Sequence, residues 1–310
     1  MRTLRTNSGR SGLQRLAALG GALVAASLVL TGCAGADDTN PDAGADDRVV
    51  EEARALLPDE IIEAGELRLV SAFDYPPYAM LDDAGEFQGS DYELGTEIAH
   101  RLGLEPVWSL SSGFSTLIPA VENGRADVAM DSIAILPERF DKVSFVKYQL
   151  YRETVMVHAG NPLSIDVSDL CGVRMATESG TLNEQRLTAM SEECVDAGKP
   201  AIDQAFFPTT IAAAQAVQSG QRDAMVLDVV AAETYVKNSG GSLESLEADV
   251  WEPTPSGIVV RRDMPELGEA IALALVSMQE DGTYAEILEQ HGLGSIQVDA
   301  VFLTEPEAGE

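Results

Sequence analysis

The sequence predicts an α/β protein of two lobes, and three observations carry that prediction. Strand and helix patterns alternate from about residue 67 to 292, the alternation runs through two similar passages, and each passage contains the same phrase. That phrase is a helix, a Gly-x-x-Asp stretch and a strand, read at Asn123-Gly124-Arg125-Ala126-Asp127-Val128 and again at Ser219-Gly220-Gln221-Arg222-Asp223-Ala224. Each glycine suits the C-terminal cap of a helix, and each strand then carries its next residues to a sheet edge. A chain of 310 residues buries one large core or two modest ones without staples. Two such lobes place a ligand in the crevice outside the carboxyl ends of their strands.

Taken in order, the spacing of Val49, Ala53, Leu56, Leu57 and Ile61 predicts short helical segments, broken at Pro58 and ended by Gly65. Residues 67–72 read as a strand and 78–89 as a hairpin turning through Asp82-Asp83-Ala84-Gly85. Apolar periodicity then predicts helices over 92–102 and 115–123, with extended segments over 106–110 and 126–130. The second half repeats the rhythm: strand 173–177, helix 181–190, strand 201–206, helix 209–219, strand 224–227 and a helix to about 236. Strand 257–260 and helices over 265–280 and 284–291 follow. Alternation of this kind gives βαβ units and predicts mostly parallel sheets.

Upstream, Arg2, Arg5, Arg10 and Arg15 precede an uncharged apolar run over 16–30, the basic and apolar regions of an export signal. The run is too short to span a bilayer comfortably. It ends in Leu30-Thr31-Gly32-Cys33, which resembles a bacterial lipobox. The resemblance implies cleavage of residues 1–32 as a lipoprotein signal peptide, lipid (palmitate) on Cys33, and residence on the outer face of the cytoplasmic membrane. Residues 34–47 hold no large apolar side chain, so 33–48 read as an acidic disordered tether. With Cys33 lipidated, Cys171 and Cys194 remain as an even pair in an oxidising compartment and are expected to form a disulfide. The formal net charge is −31, and loss of a signal that holds four arginines and no acid makes the chain more acidic still. Nucleic acid is therefore a poor partner.

From about Leu67 to Gly292 the chain resembles the extracellular solute-binding proteins, family 3, of polar amino-acid ABC transporters. The phrases that carry the resemblance are Tyr75-Pro76-Pro77-Tyr78, Gly89-Ser90-Asp91-Tyr92-Glu93-Leu94, Leu117-Ile118-Pro119-Ala120, Pro137-Glu138-Arg139, Val143-Ser144-Phe145, Ser179-Gly180-Thr181, and Asp223 with Asp228. Cys171-Gly172 and Cys194, followed by Ala197-Gly198-Lys199-Pro200, are similar to an actinobacterial branch that carries a disulfide. The resemblance implies a type II periplasmic-binding-protein-like fold, with two mostly parallel sheets flanked by helices and joined by two crossover strands. It divides the chain into lobe 1 over 67–150 plus 254–292, lobe 2 over 155–250, and an acidic C-terminal tail over 293–310. The partners it implies are a small amino-acid-like zwitterion and an ABC permease in the membrane.

By the same resemblance, Arg139 grips an α-carboxylate, a task suited to a planar fork that donates two parallel hydrogen bonds. Gly180 and Thr181, at a predicted helix start, add backbone donors. Asp228 matches the acid that pairs with an α-ammonium group, and an N-cap of the following helix is the alternative role for an aspartate there. Ser132 offers a backbone carbonyl to the same ammonium. Tyr75 and Phe114 match the aromatic positions that flank the ligand side chain. Ala134 stands where many members place a hydroxyl beside the carboxylate. Ala72 stands where members that bind cationic amino acids carry an acid, which argues against arginine, lysine or histidine, while Asp74, Asp131 and Glu178 can return negative charge to the pocket.

Enzyme chemistry lacks its parts. His100, His158 and His291 are isolated, with no zinc or triad spacing, and no glycine-rich phosphate loop is present. Ser144-Phe145-Val146-Lys147 fits Ser-x-x-Lys without its companion motifs. No metal, cofactor or catalytic residue is expected. The remaining enzyme alternative is a cyclohexadienyl or arogenate dehydratase on the same fold, with Glu178 as a general acid.

Overall fold

The structure is a computed structural model that describes residues 48–246 and 251–306. The expected signal segment, Cys33 and nearly all of the expected tether lie outside the described residues.

Two short helices, α1 (Glu51–Arg54) and α2 (Asp59–Ala64), open the described chain, with Pro58 just before α2 and Gly65 ending it at φ 68°. Strand β1 (Glu66–Ser71) leads into a small antiparallel sheet of β2 (Asp74–Tyr75), β3 (Ala79–Leu81) and β4 (Phe87–Gln88). At the turn between β3 and β4, the Asp82 carboxylate accepts the N–H groups of Ala84 and Glu86. Then come α3 (Ser90–Arg101), β5 (Glu105–Leu110), α4 (Leu117–Glu122) and β6 (Val128–Ala129). Gly89, before α3, cannot be another residue: its φ is 115° and an added Cβ would lie 2.3 Å from the Tyr78 carbonyl oxygen.

Strand β7 (Val143–Tyr151) runs into β8 (Glu153–His158) with only Arg152 between them. The second passage follows as β9 (Arg174–Glu178), α5 (Leu182–Asp196), β10 (Asp203–Phe207), α6 (Thr210–Gln218), β11 (Ala224–Asp228), α7 (Val229–Asn238) and β12 (Leu243–Leu246). The chain closes with β13 (Thr254–Arg261), α8 (Pro265–Asp281), α9 (Thr283–Gln290) and β14 (Gln297–Leu303).

These strands make a six-stranded sheet, β14-β7-β13-β6-β1-β5, and a five-stranded sheet, β10-β9-β11-β8-β12. The fold is the expected two-lobed α/β type, but the sheets are mixed rather than mostly parallel. The βαβ units β1-α3-β5 and β9-α5-β10 with their neighbours β6 and β11 are parallel, β5-β1-β6 and β10-β9-β11, whereas β7, β8, β12, β13 and β14 pair antiparallel. The expected acidic tail over 293–310 is also corrected. Residues Gln297–Leu303 form the edge strand β14 on β7, and the Phe302 ring packs so closely on α8 that Gly268 has no room for a Cβ.

The repeated phrase acquires a physical purpose. Asp127 accepts the backbone N–H of Arg68 at 3.0 Å and its Nε at 3.0 Å, and Asp223 accepts the same two groups of Arg174 at 3.2 and 3.0 Å. Each aspartate thus ties the start of β6 or β11 to its parallel neighbour β1 or β9. Both lobes use one device, while apolar side chains fill the interior: Leu69, Ile98, Val146, Ile258 and Leu275 around the first sheet, and Val155, Met175, Leu187 and Val226 around the second. Arg186 braces the crossing segments, its guanidinium donating to the Glu153 carboxylate and, at 3.0 Å, to Thr254 Oγ1.

Cys171 and Cys194 form a disulfide that joins the approach to β9 to helix α5 across 23 positions of sequence. In the chain-entropy account, closing a loop of this length removes about 3 kcal/mol of unfolded-state freedom. The double variant Cys171→Ser/Cys194→Ser is expected to unfold at correspondingly lower temperature in calorimetry. An unchanged midpoint would show that the bond adds nothing to stability.

Candidate functional site

Carboxyl ends of strands from both sheets converge on one cleft. β1 ends at Ser71 and the chain turns through Phe73 at φ 52°; β6 ends at Ala129 and turns through Ser132 at φ 47°. Left-handed backbone at a residue other than glycine costs about 1–3 kcal/mol and persists only where surroundings impose it. Here the turns deliver Asp74 and Asp131 to the cleft. The Ser132 N–H donates to Asp91 Oδ2 at 2.7 Å, Gln149 donates to Ser132 Oγ at 3.0 Å, and the Ala72 N–H donates to Asp131 Oδ2 at 3.0 Å. Tyr148 donates to the other Asp91 oxygen at 2.7 Å, so the turn is anchored on a buried carboxyl. From the second sheet, β9 ends at Glu178, whose carboxyl accepts the Thr210 hydroxyl.

These groups enclose a cavity of about 30 Å³, with Tyr75 and Phe114 from the first lobe and Leu182 and Leu227 from the second as apolar walls. It is far smaller than the ~300 Å³ of an ordinary small-molecule site, so a solute enters only with the lobes apart. Asp74, Asp131 and Glu178 are 7, 2 and 7 % exposed, and Asp74 Oδ2, Asp131 Oδ1 and Glu178 Oε1 each lack a hydrogen-bond partner. Burial, opposed by backbone hydrogen bonds, pushes the Asp74 carboxyl up to about 6. Burial and the neighbouring Asp74 push Glu178 up to about 8. Burial, then Asp74 and Glu178, hold Asp131 well above the usual carboxylate range.

Of the residues the sequence singled out, Tyr75, Phe114, Ser132, Ala134 and Thr181 line the cavity; Arg139, Gly180 and Asp228 do not. Arg139 is buried in an outer groove that shares Phe114 with the cavity. It donates to the Ala134 carbonyl at 2.7 Å and to the Gly180 carbonyl at 3.0 Å, with its guanidinium 5.8 Å from the Phe114 ring centre. Burial lowers its pKa to about 10, which leaves it charged at neutral pH. The Gly180 N–H donates to Glu184 at 2.6 Å, and Thr181 Oγ1 caps α5 by accepting the Glu184 N–H.

Asp228 takes the capping role rather than facing the cavity. Its Oδ1 accepts the N–H of Val230 and Ala231 and, at 2.7 Å, the Tyr78 hydroxyl, while Oδ2 accepts the Arg152 N–H at 3.1 Å. The free N–H groups at the start of α7 favour a carboxylate there. Tyr75 completes the latch: its hydroxyl accepts the Asp228 N–H at 3.0 Å and donates to Tyr151 at 3.4 Å.

Sequence reasoning missed Tyr151, Asn183 and Thr210 on the cavity wall. Thr210 carried a usable signal, since it follows the N-cap Thr209 at the first turn of α6. Tyr151, at the end of a crossing strand, carried none, and Asn183 lies in the first turn of α5, two residues past the Thr181 cap. Tyr78 belonged to the Tyr75-Pro76-Pro77-Tyr78 phrase but had no assigned partner.

The arrangement can enclose a small polar solute, and comparison with known proteins agrees. The chain is 25 % identical to the arginine-binding protein ArgT of Corynebacterium glutamicum over 91 % of its own length and 93 % of the relative's. The solved structure of an ancestral arginine-binding protein bound to arginine is 30 % identical, with a TM-score of 0.66, covering 73 % of this chain and 98 % of that one. An ancestral amino acid-binding protein described as a precursor of cyclohexadienyl dehydratase is 29 % identical with a TM-score of 0.68, covering 76 and 99 %. Residues 67–294 match the bacterial extracellular solute-binding proteins, family 3, and the chain belongs to that family.

Proposed function

We propose that this protein is the solute-capturing component of an ABC importer, and that it closes its two lobes on an amino acid or amino-acid-like solute. Exported and lipid-anchored at Cys33, it presents the closed form to a permease at the outer face of the cytoplasmic membrane. One lobe comprises 67–150 with 254–292 and the other 155–250. The observation that carries this reading is the enclosed cavity between the strand ends, walled by Tyr75 and Phe114 and bridged by the Tyr78–Asp228 and Arg139–Gly180 hydrogen bonds. Contacts of that kind make a closed state that a bound solute can stabilise further.

A thermal-shift screen against amino acids tests it. A ligand present at a hundred times its Kd adds about 2.7 kcal/mol, and each kcal/mol raises the midpoint of a protein this size by roughly 2–4 °C. One amino acid or a related group is therefore expected to raise it by several degrees. Absence of any shift across the set would overturn the reading.

A dehydratase on the same fold has one observation in its favour: the Glu178 carboxyl, raised to about 8, holds a proton at neutral pH as a general acid requires. The rest of the cavity opposes it. Prephenate carries two carboxylates, and Asp74, ionised at neutral pH, would repel them. Purified protein is expected to leave prephenate and arogenate unchanged; turnover of either would establish the enzyme.

A further inference from the structure

The cavity holds three carboxyls and, among the residues that line it, no lysine, arginine or histidine. An enclosed group of like charges is unfavourable unless something neutralises it. Each of the three is at least nine-tenths buried, and each keeps one oxygen without a partner at the cavity. In the empty protein only protons neutralise them, and no cationic side chain lines the cavity, so a bound solute is the source of any answering charge.

Where the solute's charges lie follows from two further observations. Among the described residues no three carboxylate, histidine or cysteine side chains are placed to chelate a metal ion. Spaced cationic nitrogens suit them better than a single ion. The groups that would meet an α-amino acid's paired charges are already engaged: Arg139 with the carbonyls of Ala134 and Gly180, and Asp228 with Tyr78, Arg152 and the start of α7. A carboxylate entering the cavity would find acids in place of a free guanidinium.

We propose that the solute is a linear organic dication without a carboxylate, a diamine or guanidino-amine, whose two cationic ends are held by Asp74, Asp131 and Glu178. The proposal rests on the solute-capture reading and narrows its ligand. The methylene chain lies between Tyr75 and Phe114, whose ring faces also attract cations. Three carboxyls face the two positive charges of such a solute, so two ionise against it while the third keeps its proton.

Two matched pairs isolate the role of the carboxylate: agmatine against arginine, and putrescine against ornithine, each pair sharing a cationic side chain. Titration calorimetry on the purified protein is expected to show agmatine and putrescine binding at least tenfold more tightly than their amino-acid counterparts, with no binding of glutamine. Asp74→Asn and Glu178→Gln are each expected to weaken the better diamine at least tenfold. Both variants should fold, because each replaces a buried carboxyl with an amide of the same shape; circular dichroism and the ligand-free melting temperature check this. Tighter binding of arginine or ornithine would overturn the dication and leave amino-acid capture standing, as would binding of glutamine alone. Failure of all five compounds to bind would also overturn it, and the amino-acid screen then decides separately whether capture itself survives.

Discussion

Replacing Asp228 with alanine is expected to destabilise the ligand-free protein by about 3–4 kcal/mol. The cap on α7 alone is worth ~1 kcal/mol, and the substitution also leaves the buried Tyr78 hydroxyl and the Arg152 N–H without their acceptor, at ~1–3 kcal/mol each. Relief of the carboxylate's own burial, which raises its pKa, offsets part of that sum. Asparagine keeps the shape and one acceptor oxygen, so Asp228→Asn should recover about half of the loss. Chemical denaturation of the three proteins measures this. Equal stability of wild type and Asp228→Ala would mean that the side chain serves a solute and not the fold. The Tyr78 bond also links the two lobes, so Tyr78→Phe is a companion that weakens closure while leaving the cap in place.

Acidity is expected to govern whether the empty cleft stays shut. The folded, closed protein raises Asp74 to about 6 from 3.8 and Glu178 to about 8 from 4.5, and raises Asp131 well above 3.8. Outside the cleft, burial lifts Asp91 and Glu153 to about 7 each, the latter despite Arg186. A raised carboxyl pKa means that the folded state binds more protons than the unfolded one, so stability falls as pH rises. The fall begins near the ordinary carboxyl values and runs to about pH 8; well below those values these groups are protonated in both states and their contribution vanishes. At 1.36 kcal/mol per pKa unit, Glu178 alone would account for about 4–5 kcal/mol if the lobes stayed closed. Opening them hydrates the acids at lower cost. The ligand-free protein should therefore melt at higher temperature at pH 5.5 than at pH 8, and its radius of gyration by small-angle X-ray scattering should grow over the same interval. The double variant Asp74→Asn/Glu178→Gln should flatten both changes. A melting temperature that rises with pH, with constant dimensions, would show that these acids are not buried together in the empty protein.

Legibility of the fold in the sequence followed the range of the interactions. Gly65 ends α2 at φ 68° and Asp82 sets the β3–β4 turn through contacts within four residues, so both were readable from the chain. The repeat of Asp127 and Asp223 was visible too. Its meaning was not, because Arg68 and Arg174 lie 59 and 49 positions away. Strand β14 escaped notice for a similar reason: an acidic neighbourhood hid an edge whose partner β7 lies far upstream. Antiparallel pairing of β7, β8 and β13 depends on where the chain crosses between sheets, which no local pattern records.

The sequence by itself determined the family, the alternating α/β order, the aromatic walls Tyr75 and Phe114 and the cysteine pair, because each is expressed in residue type and short spacing. It also placed Asp74, Asp131 and Glu178 within reach of the pocket, while Ala72 argued against arginine, lysine or histidine. Tertiary structure alone decided that these three acids share one enclosed cavity, and that Arg139 and Asp228 turn to backbone groups and Tyr78. The physical reason is that charge in a cleft is a property of the groups brought together there. Positive φ at Phe73 and Ser132, capping at α7 and the approach of two lobes choose those groups, and each is settled only when the chain has folded.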